Sequence, residues 1–231
     1  MILPSECYLK HNCKKYNENN CLETEQFCMR LFKQDTLFNK SLLSSRQRQF
    51  TELRLDETGR DRDAFLQLKQ IELDIVQFVN DGNNLYLCSA ITGNGKTEWA
   101  VRLIQSYIGK IWHKCDLECK ALFINVPRYL LELKSNISKH SEYIDIVEQS
   151  ILTADVVVFD DIGSKTGTEY EIEHLLSSIN NRIDCGRSNI YTSNILPEEL
   201  QTQLGPRLAS RLIGMSTTIE LKENDKRGLN K

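Results

Sequence analysis

The run Leu85-Tyr86-Leu87-Cys88-Ser89-Ala90-Ile91-Thr92-Gly93-Asn94-Gly95-Lys96-Thr97 constrains this chain more than any other stretch. Its first four residues read as a short buried strand and its middle as a tight loop. The apolar residues from Trp99 to Ile111 recur at helical spacing. A strand that turns through a glycine-bearing loop into a helix aims backbone N–H groups and the helix's positive end at one point, which suits an anion. There Lys96 would reach the β- and γ-phosphates of a nucleotide and Thr97 would hold Mg²⁺, while Thr92, Gly93, Asn94 and Gly95 line the cradle. The usual pattern has glycine where this chain has Ala90, so the loop fits only if the backbone at Ala90 avoids positive φ. The plainer reading of the segment alone is a Gly-rich turn carrying a surface lysine.

A second segment lies 64 residues past Lys96. Val156-Val157-Val158-Phe159-Asp160-Asp161 is an apolar strand that ends in two carboxylates. At a strand's C-terminal edge Asp160 would hold Mg²⁺ through water, and Asp161 would orient or deprotonate an attacking water. A strand that simply ends in a solvated acidic turn is the alternative. Further on, Asn189-Ile190-Tyr191-Thr192-Ser193 ends in Asn194, placed to bridge water and γ-phosphate or to cap the turn before Pro197. Arg207 and Arg211, four apart, share one helix face. Arginine's planar fork suits phosphate, and in an oligomer such a residue completes a neighbour's site; a solvated basic face is the bland reading.

Between these motifs the pattern alternates. Strands are expected at 85–88, 121–126, 156–159, 189–193 and 216–221, and helices over about 63–80, 99–111, 129–137, 143–152 and 169–184, with Pro127 at a helix start. Apolar strands alternating with helices predict an α/β fold with a parallel sheet covered on both faces. No run of 18 apolar residues exists, so no membrane span is expected. The N-terminus has no basic start followed by an apolar stretch, and with eight cysteines this points to a reducing, cytoplasmic setting.

The chain also divides by composition. Residues 1–55 hold nine basic and six acidic groups, and the remainder 20 and 26. The polar stretch at 56–62 reads as a linker between a piece at 1–55 and a module at 63–231. Cys7, Cys13, Cys21 and Cys28 fall in the first 28 residues. Four thiolates so close can close a tetrahedral zinc site, with His11 as a substitute ligand, and a small piece needs such a staple. The spacing lacks a C-x2-C knuckle, so four unrelated reduced thiols or an iron–sulfur cluster stay open. Cys115 and Cys119 with His113 are a weaker second set, and a thiol pair without a role is the expectation there.

Taken together, Gly95-Lys96-Thr97, Phe159 to Gly163 (FDDIG), Thr192-Ser193-Asn194 and Arg207 with Arg211 resemble the AAA+ ATPases. More narrowly they are similar to the replicative helicase loaders of the DnaC/DnaI group, which includes the IstB transposition ATPases. The resemblance covers about 63–221. It implies a five-stranded AAA+ P-loop sheet, ATP/ADP and Mg²⁺ as ligands, and slow turnover, because Asp161 stands where fast enzymes carry Glu. Only ten mostly polar residues follow Leu221, so a module without the helical lid is expected. Asp161, Asn194 and Arg211 would then be catalytic, Arg211 acting on a neighbour's site, and Arg207 would touch phosphate. The resemblance further implies homo-oligomers joined through ATP. It assigns the cysteine-rich piece to gripping a hexameric DnaB-type helicase, and single-stranded DNA contacts to the helix bearing Arg128, Tyr129 and Lys134. For that helix ordinary packing of Leu130, Leu131 and Leu133 is the competing view. The short two-part form suggests a phage or prophage source. A transposition ATPase that recruits a transposase, and a non-hydrolysing nucleotide-bound adaptor, are the alternatives.

Overall fold

The computed structural model describes residues 7, 9–10, 13–18, 21, 28–49, 59–136, 140–164 and 167–223. In chain order they form α1 (Lys14–Asn17), α2 (Met29–Lys40), α3 (Arg62–Leu73), α4 (Ile75–Asn80), β1 (Asn84–Cys88), α5 (Lys96–Ile111), β2 (Ala121–Asn125), α6 (Val126–Asn136) and α7 (Glu142–Thr153). These are followed by β3 (Val156–Asp160), α8 (Glu169–Asp184), β4 (Ser188–Ser193), α9 (Leu200–Leu204), α10 (Pro206–Gly214) and β5 (Thr217–Glu220).

The strands make one parallel sheet in the order β2-β3-β4-β1-β5. Their continuous apolar character follows from burial on both faces. Alternate residues feed two cores, as the two-residue period of a strand requires. Tyr86, Cys88, Leu122, Ile124, Val157, Phe159 and Tyr191 face α6, α7, α8 and α10. Leu85, Leu87, Ala121, Phe123, Val156, Val158 and Ile190 face α2, α3, α4 and α5. Helix α5 lies on the second face through Ala100, Leu103, Ile104, Tyr107 and Ile108, spaced three and four apart and all buried. Each large apolar side chain so buried contributes roughly 1.5–3 kcal/mol. Helix α8 starts where Thr168 and Glu171 cap each other reciprocally, at 2.7 and 3.3 Å.

The expected strands fall within a residue or so of the observed ones, and the module has the AAA+ P-loop sheet. Three local features depart from the sequence reading. The helix expected over 63–80 breaks at Asp74, which ends α3 and starts α4 with φ −104° and ψ 19°. Helix α9 was not expected. Leu131, read as core, is 52% exposed, while Leu130 and Leu133 are buried.

The chain upstream of α3 also contributes to the core. Leu37, Phe38 and Leu43 join the α5 side, and the Phe123 N–H on the β2 edge donates to the Ser41 carbonyl at 2.9 Å. Gln105 reaches the Gln47 carbonyl at 2.6 Å. The expected linker at 56–62 lies partly outside the described residues. Within it Asp61 is buried, and its carboxylate accepts the N–H groups of Lys222, at 2.5 Å, and Glu223, at 3.2 Å.

At the N-terminal ends of β3 and β4 one arginine is fully enclosed. Arg182 of α8 donates to Asn189 Oδ1 at 2.6 Å and to the carbonyls of Ile151, Ala154, Asp155 and Ser188 at 2.5, 2.8, 3.5 and 2.6 Å. Burial pulls its pKa down to about 9, which leaves it charged at neutral pH.

Candidate nucleotide site

The loop after β1 is organised by its own short side chains. Ser89 Oγ accepts the Ile91 N–H at 3.0 Å. The Asn94 amide donates to Ser89 Oγ and to the Leu221 carbonyl, the latter at 3.2 Å, tying the loop to the end of β5. Gly93 and Gly95 take φ of 75° and 102°, which residues with a Cβ rarely adopt. Among the described non-glycine residues only Leu42 and Asp161 have positive φ, so the backbone at Ala90 meets the condition for replacing glycine. Lys96 opens α5, is 7% exposed, and donates to the Ile91 carbonyl at 3.0 Å and Asn94 Oδ1 at 3.2 Å. Its ammonium therefore lies across the loop, at a helix N-terminus that favours an anion.

The carboxylates come from β3. Asp160 is 5% exposed, and its Oδ1 accepts Thr97 Oγ1 at 2.8 Å and Thr192 Oγ1 at 2.7 Å. Burial raises its pKa, opposed by hydrogen bonds from Thr192, Thr97 and Asn125, while the neighbouring Asp161 raises it further. These donors are neutral, and a buried carboxylate held by neutral donors beside a threonine oxygen is a fitting place for a divalent cation. Thr97 and Asp160 would hold Mg²⁺ there. Asp161 follows with φ 62°. Its N–H donates to Thr192 Oγ1 at 2.9 Å, and its Oδ1 accepts the Asn194 amide at 3.1 Å. The turn then needs Gly163, whose φ of 82° strains a residue with a Cβ.

The structure thus gathers Thr92 to Thr97, Asp160, Asp161 and Asn194 at the C-terminal ends of β1, β3 and β4. It places the two arginines elsewhere. Arg207 and Arg211 line a groove of about 810 Å³ between α8 and α10, with Asn180 and Asp184. Arg207 is 81% exposed and 3.7 Å from Glu173. The helix read as a DNA contact is changed in one respect: Tyr129 is buried, its hydroxyl 3.5 Å from Glu148, so its ring is not free to stack on a base. Arg128 stays exposed and paired with Glu132 at 2.9 Å, and Lys134 is exposed. Sequence reading met Thr192 only inside Thr192-Ser193-Asn194 and gave it no role of its own, because its β-branched type on an apolar strand signals strand propensity.

All eight cysteines are free thiols. The Cys7 thiol is pushed up by burial and, more weakly, by Cys28, Cys13 and Cys21. Among the described residues, however, no group of three or more His, Cys, Asp or Glu side chains has metal-holding geometry. Geometry is the stricter test of a metal site, and it gives zinc no support here. Cys28 instead caps α2, accepting the Leu31 N–H at 3.5 Å, and His11 lies outside the described residues. Cys88 is pushed up to about 12 and Cys119 to about 11, mainly by burial, as structural thiols are.

Residues 19–230 match the model of a family described as IstB-like ATP binding protein. The chain belongs to this family of IstB-like ATP-binding proteins. Its fold is similar to the crystal structure of the DnaC helicase loader, with a TM-score of 0.60, 18% identity and coverage of 78% of this chain and 100% of that one. It is equally similar to the crystal structure of DnaI, with a TM-score of 0.60, 18% identity and coverage of 80% and 95%. The chromosomal replication initiator protein DnaA of Nostoc punctiforme is 29% identical over 129 residues, 56% of this chain. That match spans 26% of the relative's length. Among the described residues no helix is long and apolar enough to cross a membrane.

Proposed function

We propose that this IstB-like chain is an ATP-hydrolysing helicase loader. In this reading it grips a hexameric DnaB-type helicase through residues 1–55 and places the ring on single-stranded DNA in the cytoplasm. The observation that carries the nucleotide part is the convergence of Lys96, Thr97, Asp160, Asp161 and Asn194 at one end of the sheet. Lys96 and the loop N–H groups would bind the phosphates of ATP. Magnesium would neutralise charge developing on the β- and γ-phosphates. Asp161 would accept a proton from the attacking water, and Asn194 would hold that water against the γ-phosphate. Asp161 is one methylene shorter than the glutamate of fast enzymes, so isolated protein should turn over slowly.

The separate groove that carries Arg207 and Arg211 supports a role between protomers, with Arg211 completing a neighbour's site. Likeness of fold to the DnaC helicase loader and to DnaI supports the helicase as partner. The decisive experiment is co-purification with a hexameric replicative helicase in the presence of ATP. Binding to duplex DNA and a transposase, with no helicase retained, would replace the loader reading by a transposition ATPase. Nucleotide binding without turnover in any assembly would leave a nucleotide-bound adaptor. Arg211→Ala should keep ATP affinity yet lose hydrolysis by the assembly; unchanged hydrolysis would remove its role. The zinc proposal for Cys7, Cys13, Cys21 and Cys28 rests on their clustering in sequence alone. Elemental analysis of the whole protein decides it, with about one zinc per chain expected.

A further inference from the structure

Thr192 has no contact assigned to phosphate or water in the scheme above, yet its hydroxyl meets both the Asp160 carboxylate and the Asp161 backbone. It is 1% exposed and lies in β4, between β3 and β1. Its hydroxyl donates its single proton to Asp160 Oδ1 at 2.7 Å and accepts the Asp161 N–H at 2.9 Å. Its carbonyl accepts the next N–H, from Ile162, at 2.9 Å. Asp160 is therefore held between Thr97 on α5 and Thr192 on β4, through the same oxygen. Asp161 adopts a left-handed φ of 62°, which a residue with a Cβ keeps only when its surroundings hold it there. Two consecutive N–H groups anchored on Thr192 supply that hold.

We infer that Thr192 is the positioning residue of the magnesium–nucleotide site: it fixes the Asp160 carboxylate that serves the metal and the turn that presents Asp161. This role presupposes the ATP reading above and adds a residue to it. A threonine needed only for its β-branched shape tolerates valine, which keeps the branch and suits a strand. A residue needed for its hydroxyl tolerates serine instead.

The test uses the full chain and a fluorescent ATP analogue titrated in EDTA and then against rising Mg²⁺, with melting curves run alongside. In EDTA, Thr192→Val should bind the analogue as the wild type does, since Lys96 and its loop are untouched. The Mg²⁺ concentration that half-maximally tightens binding should rise about tenfold, the usual effect of losing a group that orients a metal ligand. Thr192→Ser should stay within about twofold of the wild type. A Val variant with the wild-type Mg²⁺ response, or a Ser variant shifted as far as Val, would overturn the role and leave the ATP reading standing. A wild-type protein that binds no analogue, or whose affinity ignores Mg²⁺, would overturn both. Should the Val variant not fold, Thr192→Ala supplies the hydroxyl-free comparison, and a shifted Ser response still overturns the role.

Discussion

The two ends of the sheet both bury charge, and they treat it in opposite ways. At the N-terminal ends of β3 and β4, Arg182 spends its N–H groups on four carbonyls and one side-chain amide oxygen. At the C-terminal ends, Asp160 meets two hydroxyls on one oxygen, and Lys96 rests on a loop carbonyl and an amide oxygen. The first arrangement is saturated and ties α7, α8, β3 and β4 together. The second brings the phosphate loop and the Asp160 carboxylate to the same end of the sheet, with two hydroxyls on one carboxylate oxygen. Burying a charge costs several kcal/mol unless it is paired or fully hydrogen-bonded. The lower end recovers that cost in the folded chain; on the proposed function, the upper end would recover part of it from a bound nucleotide.

Three substitutions try this contrast, in order of expected effect. Arg182→Leu should destabilise the fold by about 3–5 kcal/mol, because it removes a whole set of buried hydrogen bonds at once, while the folded fraction keeps its nucleotide affinity. Chemical denaturation and a binding titration check both halves. A variant that keeps its stability but binds ATP poorly would erase the distinction between the two ends. Lys96→Ala should lose about 100-fold in ATP affinity, or ~2.7 kcal/mol, while its unliganded melting temperature moves by only about 2 °C. A large fall in melting temperature would mean that Lys96 is structural. Asp160→Asn should raise the stability of the metal-free chain by about 1 kcal/mol and abolish the tightening of ATP binding by Mg²⁺. Melting in EDTA sharpens the contrast, since a loss of stability there would show the carboxylate to be already satisfied.

How well each end could be read from the amino-acid order follows from how local its signal is. Strands β1 and β3, the phosphate loop and the acid pair are continuous segments whose residue types state their environment. Arg182 gave no such sign, since an arginine in the last turn of a helix ordinarily points to solvent and complements the helix dipole. Asp61 lay in a stretch that read as a polar linker, yet it is buried by backbone N–H groups about 160 residues away. Thr192 failed for the same reason: its partners Asp160 and Asp161 lie on another strand, and only the sheet order places them together. The break at Asp74 was hidden because the apolar spacing of Phe65 to Val79 continues through it. Leu37 and Phe38 are apolar, but nothing local states that their target is the sheet.

The strand order also decides how the chain can be assembled during synthesis. β1 is paired on both sides, yet both of its partners, β4 and β5, are made more than a hundred residues after it. β2 and β3 pair across a much shorter interval. A nascent chain would therefore complete one side of the sheet while Leu85, Tyr86 and Leu87 still wait for β4, a long-range closure of the kind that slows folding and exposes apolar strand to neighbours. The strand that begins the phosphate loop is thus among the last to be locked, so an incomplete chain has no nucleotide site to present.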